Sequence, residues 1–170
     1  MSSLGAKVMQ PASIQDAKLN KVKIDVRSSF TNKTGTQITG RKKIKDTNII
    51  RGVSFTKNDA KVSLLGIRDK SGVAAAIFEP LYKNSINVDM VVQNISSDGK
   101  ETDLTFTIKS DYLLKTKRLI SKNKKIKFTK LIVDKNVAKV SIVGVGMITT
   151  PGVTYRMFQA LANKKINILV

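Results

Sequence analysis

Three features of the sequence predict an α+β fold. Apolar, β-branched runs of strand length alternate with segments whose apolar residues recur at helical spacing. Turns carrying Gly and Asp separate them. The stretch Lys57–Gly66 recurs as Lys135–Gly144; after a two-residue slip, Gly72-Val73, Phe78, Leu81 and Ile86-Asn87-Val88 recur as Gly152-Val153, Phe158, Leu161 and Ile166-Asn167-Ile168. One supersecondary unit is therefore present twice.

Each element of the first copy has a local reason. Lys61–Ile67 reads as a buried strand, and Arg68–Ser71 as a polar loop. Gly72–Asn84 places Val73, Ile77, Phe78 and Leu81 at helical spacing, while Pro80 should kink that helix or remove one backbone bond, at about 3 kcal/mol if unrelieved. Ile86–Gln93 is a second strand, and Ser96–Lys100 carries the hairpin signal Asp98-Gly99. Thr102–Lys109 sets Leu104, Phe106 and Ile108 on one face. Ser110 is placed to cap a helix over Asp111–Lys122, whose Leu113, Thr116 and Ile120 face the sheet. Lys127–Val133 is a fourth strand. The order β-α-β-β-α-β is that of a ferredoxin-like split βαβ unit, a four-stranded antiparallel sheet with two helices on one face. The second copy starts near Val133 and supplies strand, loop, helix and the start of another strand before Val170. A half-built unit leaves sheet edges uncovered, so either another chain completes it or the product is truncated; truncation is the expectation.

Composition narrows the chemistry. The 170 residues are 41% hydrophobic and 25% charged, enough for a packed core. There is no Cys and no His, which excludes disulfide scaffolds, thiolate chemistry, Ser-His-Asp hydrolysis and the usual zinc sites. No metal site is expected. No apolar stretch approaches the about 20 residues of a spanning helix, and the N-terminus lacks a signal-like apolar region. The expectation is a cytoplasmic protein with no membrane partner.

Thirty-one Lys and Arg against twelve Asp and Glu leave a net charge of +19. The excess is spread along the chain, with one dense acid-free run from Lys115 to Lys130. That run reads either as a solvated face or as a phosphate-binding patch. Aromatics make up only 5% of the chain, too few for the stacking platforms of single-strand nucleic-acid binders.

The loop before each helix could hold a ligand. Both copies place Gly at the first turn, Gly72 and Gly152. Free N–H groups there favour a carboxylate, and a nearby carboxylate such as Asp69 could hold an ammonium, so the pair suits a free amino acid. The alternative is a plain strand-to-helix turn in which Asp69 and Ser71 merely cap the helix.

The stretch Gly66-Ile67-Arg68-Asp69-Lys70-Ser71-Gly72, followed by Ile86-Asn87-Val88-Asp89-Met90-Val91-Val92-Gln93-Asn94-Ile95-Ser96, closely resembles the regulatory ACT modules of aspartate kinase. So does Val143-Gly144-Val145-Gly146-Met147 with Pro151-Gly152-Val153-Thr154 and Ile166-Asn167-Ile168. Ser3-Leu4-Gly5-Ala6-Lys7-Val8-Met9-Gln10, Val26-Arg27-Ser28-Ser29-Phe30 and Gly35-Thr36 resemble the end of that family's kinase domain, although Ala12 stands where the family usually has Arg. The resemblance implies the remnant of an α/β amino-acid-kinase domain over 1–48, a first ACT module over 55–133 and an incomplete second module over 134–170.

It further implies that lysine and/or threonine bind between ACT modules and control the ATP-dependent phosphorylation of aspartate by an attached kinase. Carried over by motif, the first-module site uses Asp69, Lys70, Ser71, Gly72, Val73, Ala74, Asn87, Val88, Asp89 and Gln93; the second supplies Val153, Thr154, Asn167 and Ile168. In the proposed roles, N–H groups of Gly72–Ala74 take the effector carboxylate, Asp69 its ammonium, and Asn87 and Gln93 contribute amides. Lys7 and Val8 match a segment that touches ATP in the family. ATP and magnesium belong to the complete enzyme, so no cofactor is expected here, no catalytic residue is assigned, and the chain alone should lack kinase activity. The partners implied are a second copy, forming a homodimer through the ACT modules, and a catalytic aspartate kinase chain. The reading from another class is a basic RNA- or DNA-binding protein of ferredoxin-like fold, disfavoured because the central strands offer only Phe106 as an aromatic.

Overall fold

A computed structural model of the chain describes residues 8–40, 49–95, 100–148 and 150–169. The elements run α1 (Pro11–Leu19), β1 (Ile24–Val26), β2 (Thr36–Ile38), β3 (Gly52–Arg68), α2 (Val73–Lys83), β4 (Val88–Ile95), β5 (Glu101–Lys109), α3 (Leu113–Lys122), β6 (Lys130–Val143) and α4 (Val153–Asn163). Short 3-10 turns precede α3 at Ser110–Tyr112 and α4 at Val145–Ile148. Two compact units form, Thr56–Lys139 and Met1–Phe55 together with Val140–Val170.

The first of these is the ferredoxin-like unit. Its sheet has the order β4-β5-β3-β6, and β5 runs antiparallel to both neighbours, β3 and β4. Alternation along β3 sends Ala60, Val62 and Leu64 into the core, where Leu104, Phe106 and Ile108 of β5 and Ile77 and Leu81 of α2 meet them. Phe78 packs edge-on against Phe106 with ring centroids 5.3 Å apart. The predicted Asp98-Gly99 turn lies outside the described residues.

Both β3 and β6 extend beyond the predicted strands. β3 begins at Gly52, nine residues before Lys61, and β6 continues through Asp134-Lys135-Asn136 to Val143. Polar residues there read as breaks, but cross-strand pairing overrides local preference: Asp59 pairs in register with Lys109, and Ala60 with Ile108.

Two bulges are repaired by β5 side chains. Between Leu64 and Ile67 the register slips, and the Gly66 N–H donates to Asp103 Oδ1 at 2.9 Å. Gly66 has φ +63°, and a Cβ there would run into the Thr129 side chain, so glycine is required twice over. Between Val88 and Val91 a second slip frees the Met90 N–H, which donates to Thr107 Oγ1 at 3.1 Å.

Pro80 does not end α2, which runs on to Lys83. Its missing N–H leaves the Ala76 carbonyl, four residues back, without a helical donor. The Asn123 side chain at the end of α3 supplies one, Nδ2 donating to Ala76 O at 3.0 Å. Ser110 does not cap α3 as expected: a 3-10 turn intervenes and no side-chain cap forms. Within the buried face of α3, Ile120 packs in the core, while the fully buried Thr116 hydroxyl has no hydrogen-bond partner.

The second unit contains α1, the β1–β2 hairpin and α4. Ile24 pairs with Ile38 and Val26 with Thr36 in antiparallel register. α1 starts with Pro11 at its first position and buries no residue. The Arg51 N–H donates to Val143 O at 2.7 Å, and a Cβ on Gly144 would meet the Ile49 carbonyl. No described helix is long and apolar enough to span a membrane.

Candidate functional site

The repeated loop-to-helix turns take one conformation. Gly72 (φ +86°, ψ −3°) and Gly152 (φ +89°, ψ −3°) both sit in the left-handed region at the N-caps of α2 and α4. Each carbonyl accepts the helix's first bond, from Ala76 N–H and Arg156 N–H, both at 3.0 Å. Neither helix receives a side-chain cap, so Asp69 and Ser71 do not play the purely structural capping role. Space around both glycines is open, with nothing near where a Cβ would stand. First-turn N–H groups that no side chain satisfies form an anion-ready tip. One expected donor is already used: the Val73 N–H reaches Lys70 O at 3.2 Å.

The neighbourhood of the first turn is polar and exposed. Asp69, Lys70, Ser71 and Gly72 are exposed, Ala74 is half-buried, and Val73 is buried as the first core residue of α2. The Asp69 N–H bonds to Lys100 O at 3.0 Å, tying the loop to the start of β5.

Register separates the remaining first-module residues. The Gly72 turn lies at the end of the sheet where Arg68 pairs with Glu101, whereas Val88 pairs with Ile108 at the opposite end of β5. Seven residues of strand span about 23 Å. Asn87, Val88 and Asp89 therefore do not join the Gly72 turn within one chain; Gln93, in register with Leu104, lies on the turn's side of the sheet. Asn87, Asp89 and Gln93 are exposed and Val88 is half-buried. Asp89 is engaged by the Lys139 ammonium. In the second copy Val153 is buried and Thr154 exposed at the start of α4, while Asn167 and Ile168 are exposed beyond its other end. Lys7 lies outside the described residues, and Val8 is 82% exposed.

Sequence reasoning missed a charge cluster at the centre of the first unit. Asp59, almost fully buried, accepts hydrogen bonds from Lys109 Nζ at 2.8 Å and from the Thr56 hydroxyl, and lies 3.9 Å from Lys139 Nζ. Burial pushes its carboxyl up, but the Lys109 and Thr56 hydrogen bonds and the fields of Lys109 and Lys139 outweigh it, leaving the group below its usual value. No sequence pattern announces it, because Lys109 and Asp59 lie 50 residues apart.

The outer edge of the unit is mixed. β4 is an edge strand that exposes Val91 and Ile95 as well as Asp89, Gln93 and Asn94, and Tyr82 of α2 is exposed beside Val91. A shallow cavity of about 240 Å³ opens there between Phe78, Tyr82, Asn87 and Val91. Phe106, the aromatic of β5, is fully buried against Phe78 and presents no stacking face to solvent.

The fold and its paired glycine-started helices are those of a regulatory ACT module, and the ACT domain family matches residues 62–123 and 140–170. An aspartokinase of Helicobacter pylori is 43% identical over the whole chain, and one of Pseudomonas aeruginosa 41% identical over 99% of it. The chain spans about 42% of the length of these relatives. The ligand-free regulatory subunit of aspartate kinase from Thermus thermophilus superposes with a TM-score of 0.66 at 34% identity, covering 72% of this chain and 81% of that one. Aspartate kinase of Clostridium acetobutylicum shares the fold over 99% of the chain, with a TM-score of 0.85. The chain belongs to the aspartokinase family and corresponds to its ACT-bearing regulatory region.

Proposed function

We propose that the chain binds a free amino acid, lysine and/or threonine, and thereby controls a catalytic aspartate kinase chain. The observation that carries this is the conformational identity of the two uncapped helix tips at Gly72 and Gly152. Each tip offers N–H groups to a carboxylate, and Asp69 beside the first is an exposed counter-charge for an ammonium. The separation of Asn87–Asp89 from the Gly72 turn argues for a site shared by two chains. If two copies pair antiparallel through their β4 edges, the Asn87 end of one lies beside the turn end of the other. The exposed Tyr82, Val91 and Ile95 supply the apolar contact for such a homodimer. Coupling between effector and kinase would be about 1–3 kcal/mol.

Among the described residues no three acidic side chains cluster to hold a metal ion, and Val8 is the one described residue of the pair expected to touch ATP. We place both ATP and magnesium on the catalytic partner and expect no aspartyl phosphate from the chain alone.

Calorimetric titration tests the proposal. Lysine or threonine should bind in the micromolar-to-millimolar range, and Asp69→Asn should weaken binding at least tenfold while circular dichroism stays unchanged. Val91→Lys should shift the sedimentation of a dimer to that of a monomer and abolish binding with it. No heat with either amino acid at 10 mM, using a chain shown to be dimeric, would refute the effector reading.

A further inference from the structure

The dense basic run becomes a shaped groove in three dimensions. α3 places Lys115, Arg118 and Lys122 at i, i+3 and i+7, along one stripe of the helix. Lys83, at the end of α2, and Lys125, just beyond α3, complete the rim of a groove of about 460 Å³. Its floor is Pro80 and Leu119. The lining has one acid, Glu79, and that is occupied by Lys83 at 2.6 Å. Lys125 also acts on Glu79, whose carboxyl Lys83 and Lys125 together hold below its usual value.

The groove is held in shape by the repair of Pro80. Asn123 donates to the Ala76 carbonyl of α2 at 3.0 Å, and its Oδ1 accepts the Lys125 N–H at 3.0 Å. One side chain therefore ties α2, the end of α3 and the loop bearing Lys125. Five cations from three segments thus line the groove, Lys83 among them already paired with Glu79, and Asn123 ties together the backbone segments that carry them.

We propose that this groove binds a small soluble polyanion carrying several phosphoryl groups. Four of the five cations are lysines, compact charges with freely rotating donors, which suit tetrahedral multiply charged oxygens better than planar carboxylates. Each phosphoryl group brings about 1.5–2 negative charges into a short length, matching the cation density. No aromatic side chain lines the groove, so a stacked nucleobase has no platform. The groove lies at the C-terminal end of α2, about 12–16 Å of helical rise from the Gly72 turn; it is separate from the proposed amino-acid site and does not depend on it.

Titration of the 170-residue chain with sodium tripolyphosphate at 0.15 M salt tests this. The triple variant K115Q/R118Q/K122Q should lose at least tenfold in affinity. The charge-matched control K18Q/K23Q/K33Q, altered on exposed residues of the other unit, should stay within twofold. Asn123→Ala, which leaves every charge in place, should weaken binding several-fold by releasing the frame, and the charge-keeping triple K115R/R118K/K122R should bind within about twofold of the unaltered chain. Equal losses in both triple variants would show bulk charge alone and overturn the proposal. So would tighter binding, per charge, of oligoglutamate or of a DNA duplex than of tripolyphosphate.

Discussion

α2 and α4 begin alike and end alike, yet they are buried to different extents. Each starts on a left-handed glycine. Each closes in the same Schellman pattern: Ile86 N–H to Leu81 O and Ser85 N–H to Tyr82 O in α2, Ile166 N–H to Leu161 O and Lys165 N–H to Ala162 O in α4. Ser85 and Lys165 accept φ values of +54° and +55° to make that closure. But α2 buries Val73, Ile77 and Leu81, whereas α4 buries Val153 alone, and Phe158, the counterpart of the half-buried Phe78, is 44% exposed. α2 has a four-stranded sheet beneath it; no strand is assigned to the described residues that follow α4. Helix limits and caps are thus local properties, repeated because the sequence repeats, while burial depends on strands that distant segments must supply.

The sharpest test exchanges equivalent leucines. Leu81→Ala removes a fully buried side chain and should cost about 2–5 kcal/mol. Leu161→Ala, at the matching half-buried position, should cost less than half as much. Urea unfolding followed by hydrogen exchange resolved to each helix would read both, and equal losses would break the comparison.

The copies also differ in acid response, because Asp59 of the first is Val137 in the second. Lys109, Thr56 and Lys139 hold the Asp59 carboxyl low despite burial. A depressed folded-state pKa contributes stability that is fully present above the unfolded value of about 3.9 and is lost as pH falls through the folded value. The stability of the first unit should therefore fall below about pH 4. Asp59→Asn should flatten that fall and cost roughly 1–3 kcal/mol at pH 7, since it leaves Lys109 without its buried partner. An unchanged pH profile would mean that the cluster contributes nothing to folding.

A smaller effect belongs to the first copy alone. Asn123→Ala should cost about 1 kcal/mol by orphaning the Ala76 carbonyl. In a Pro80→Ala background the helix supplies its own donor, so the cost should fall to what the exposed Lys125 N–H bond to Asn123 contributes, and the double-mutant cycle measures the difference. Smallest, and equal in both copies, are the C-terminal caps. Ser85→Gly and Lys165→Gly should each stabilise by about 0.5–1 kcal/mol, because glycine carries no Cβ penalty at positive φ. A gain in one copy only would show that the caps depend on tertiary context after all.

Much of this architecture was legible because its signals are periodic or local. Val73, Ile77 and Leu81 mark a helix face, the alternation Leu104, Phe106, Ile108 marks a strand, and the glycines of both turns stand in one register of the repeat. The candidate turn was equally legible, down to its glycine. What could not be read was non-local. The Asp59 cluster joins residues from three strands; Asp59 itself, a residue that favours turns, is held in a strand by pairing with Lys109 of β5; and the separation of Asn87–Asp89 from Gly72 follows from sheet register, not from motif spacing. The basic run was visible as a run, but not as one wall of a groove.

Sequence alone determined the order of strands and helices in the first copy, the duplication and the glycine starts of α2 and α4, since these rest on torsional preference and hydrophobic period within a few residues. Tertiary structure decided which copy is covered, which carboxylate is buried, and how the carbonyl left by Pro80 finds its donor in Asn123, 47 residues away. The physical reason is common to all three: desolvation and hydrogen-bond satisfaction are settled by whatever the folded chain brings alongside, and no stretch of sequence carries its own neighbours.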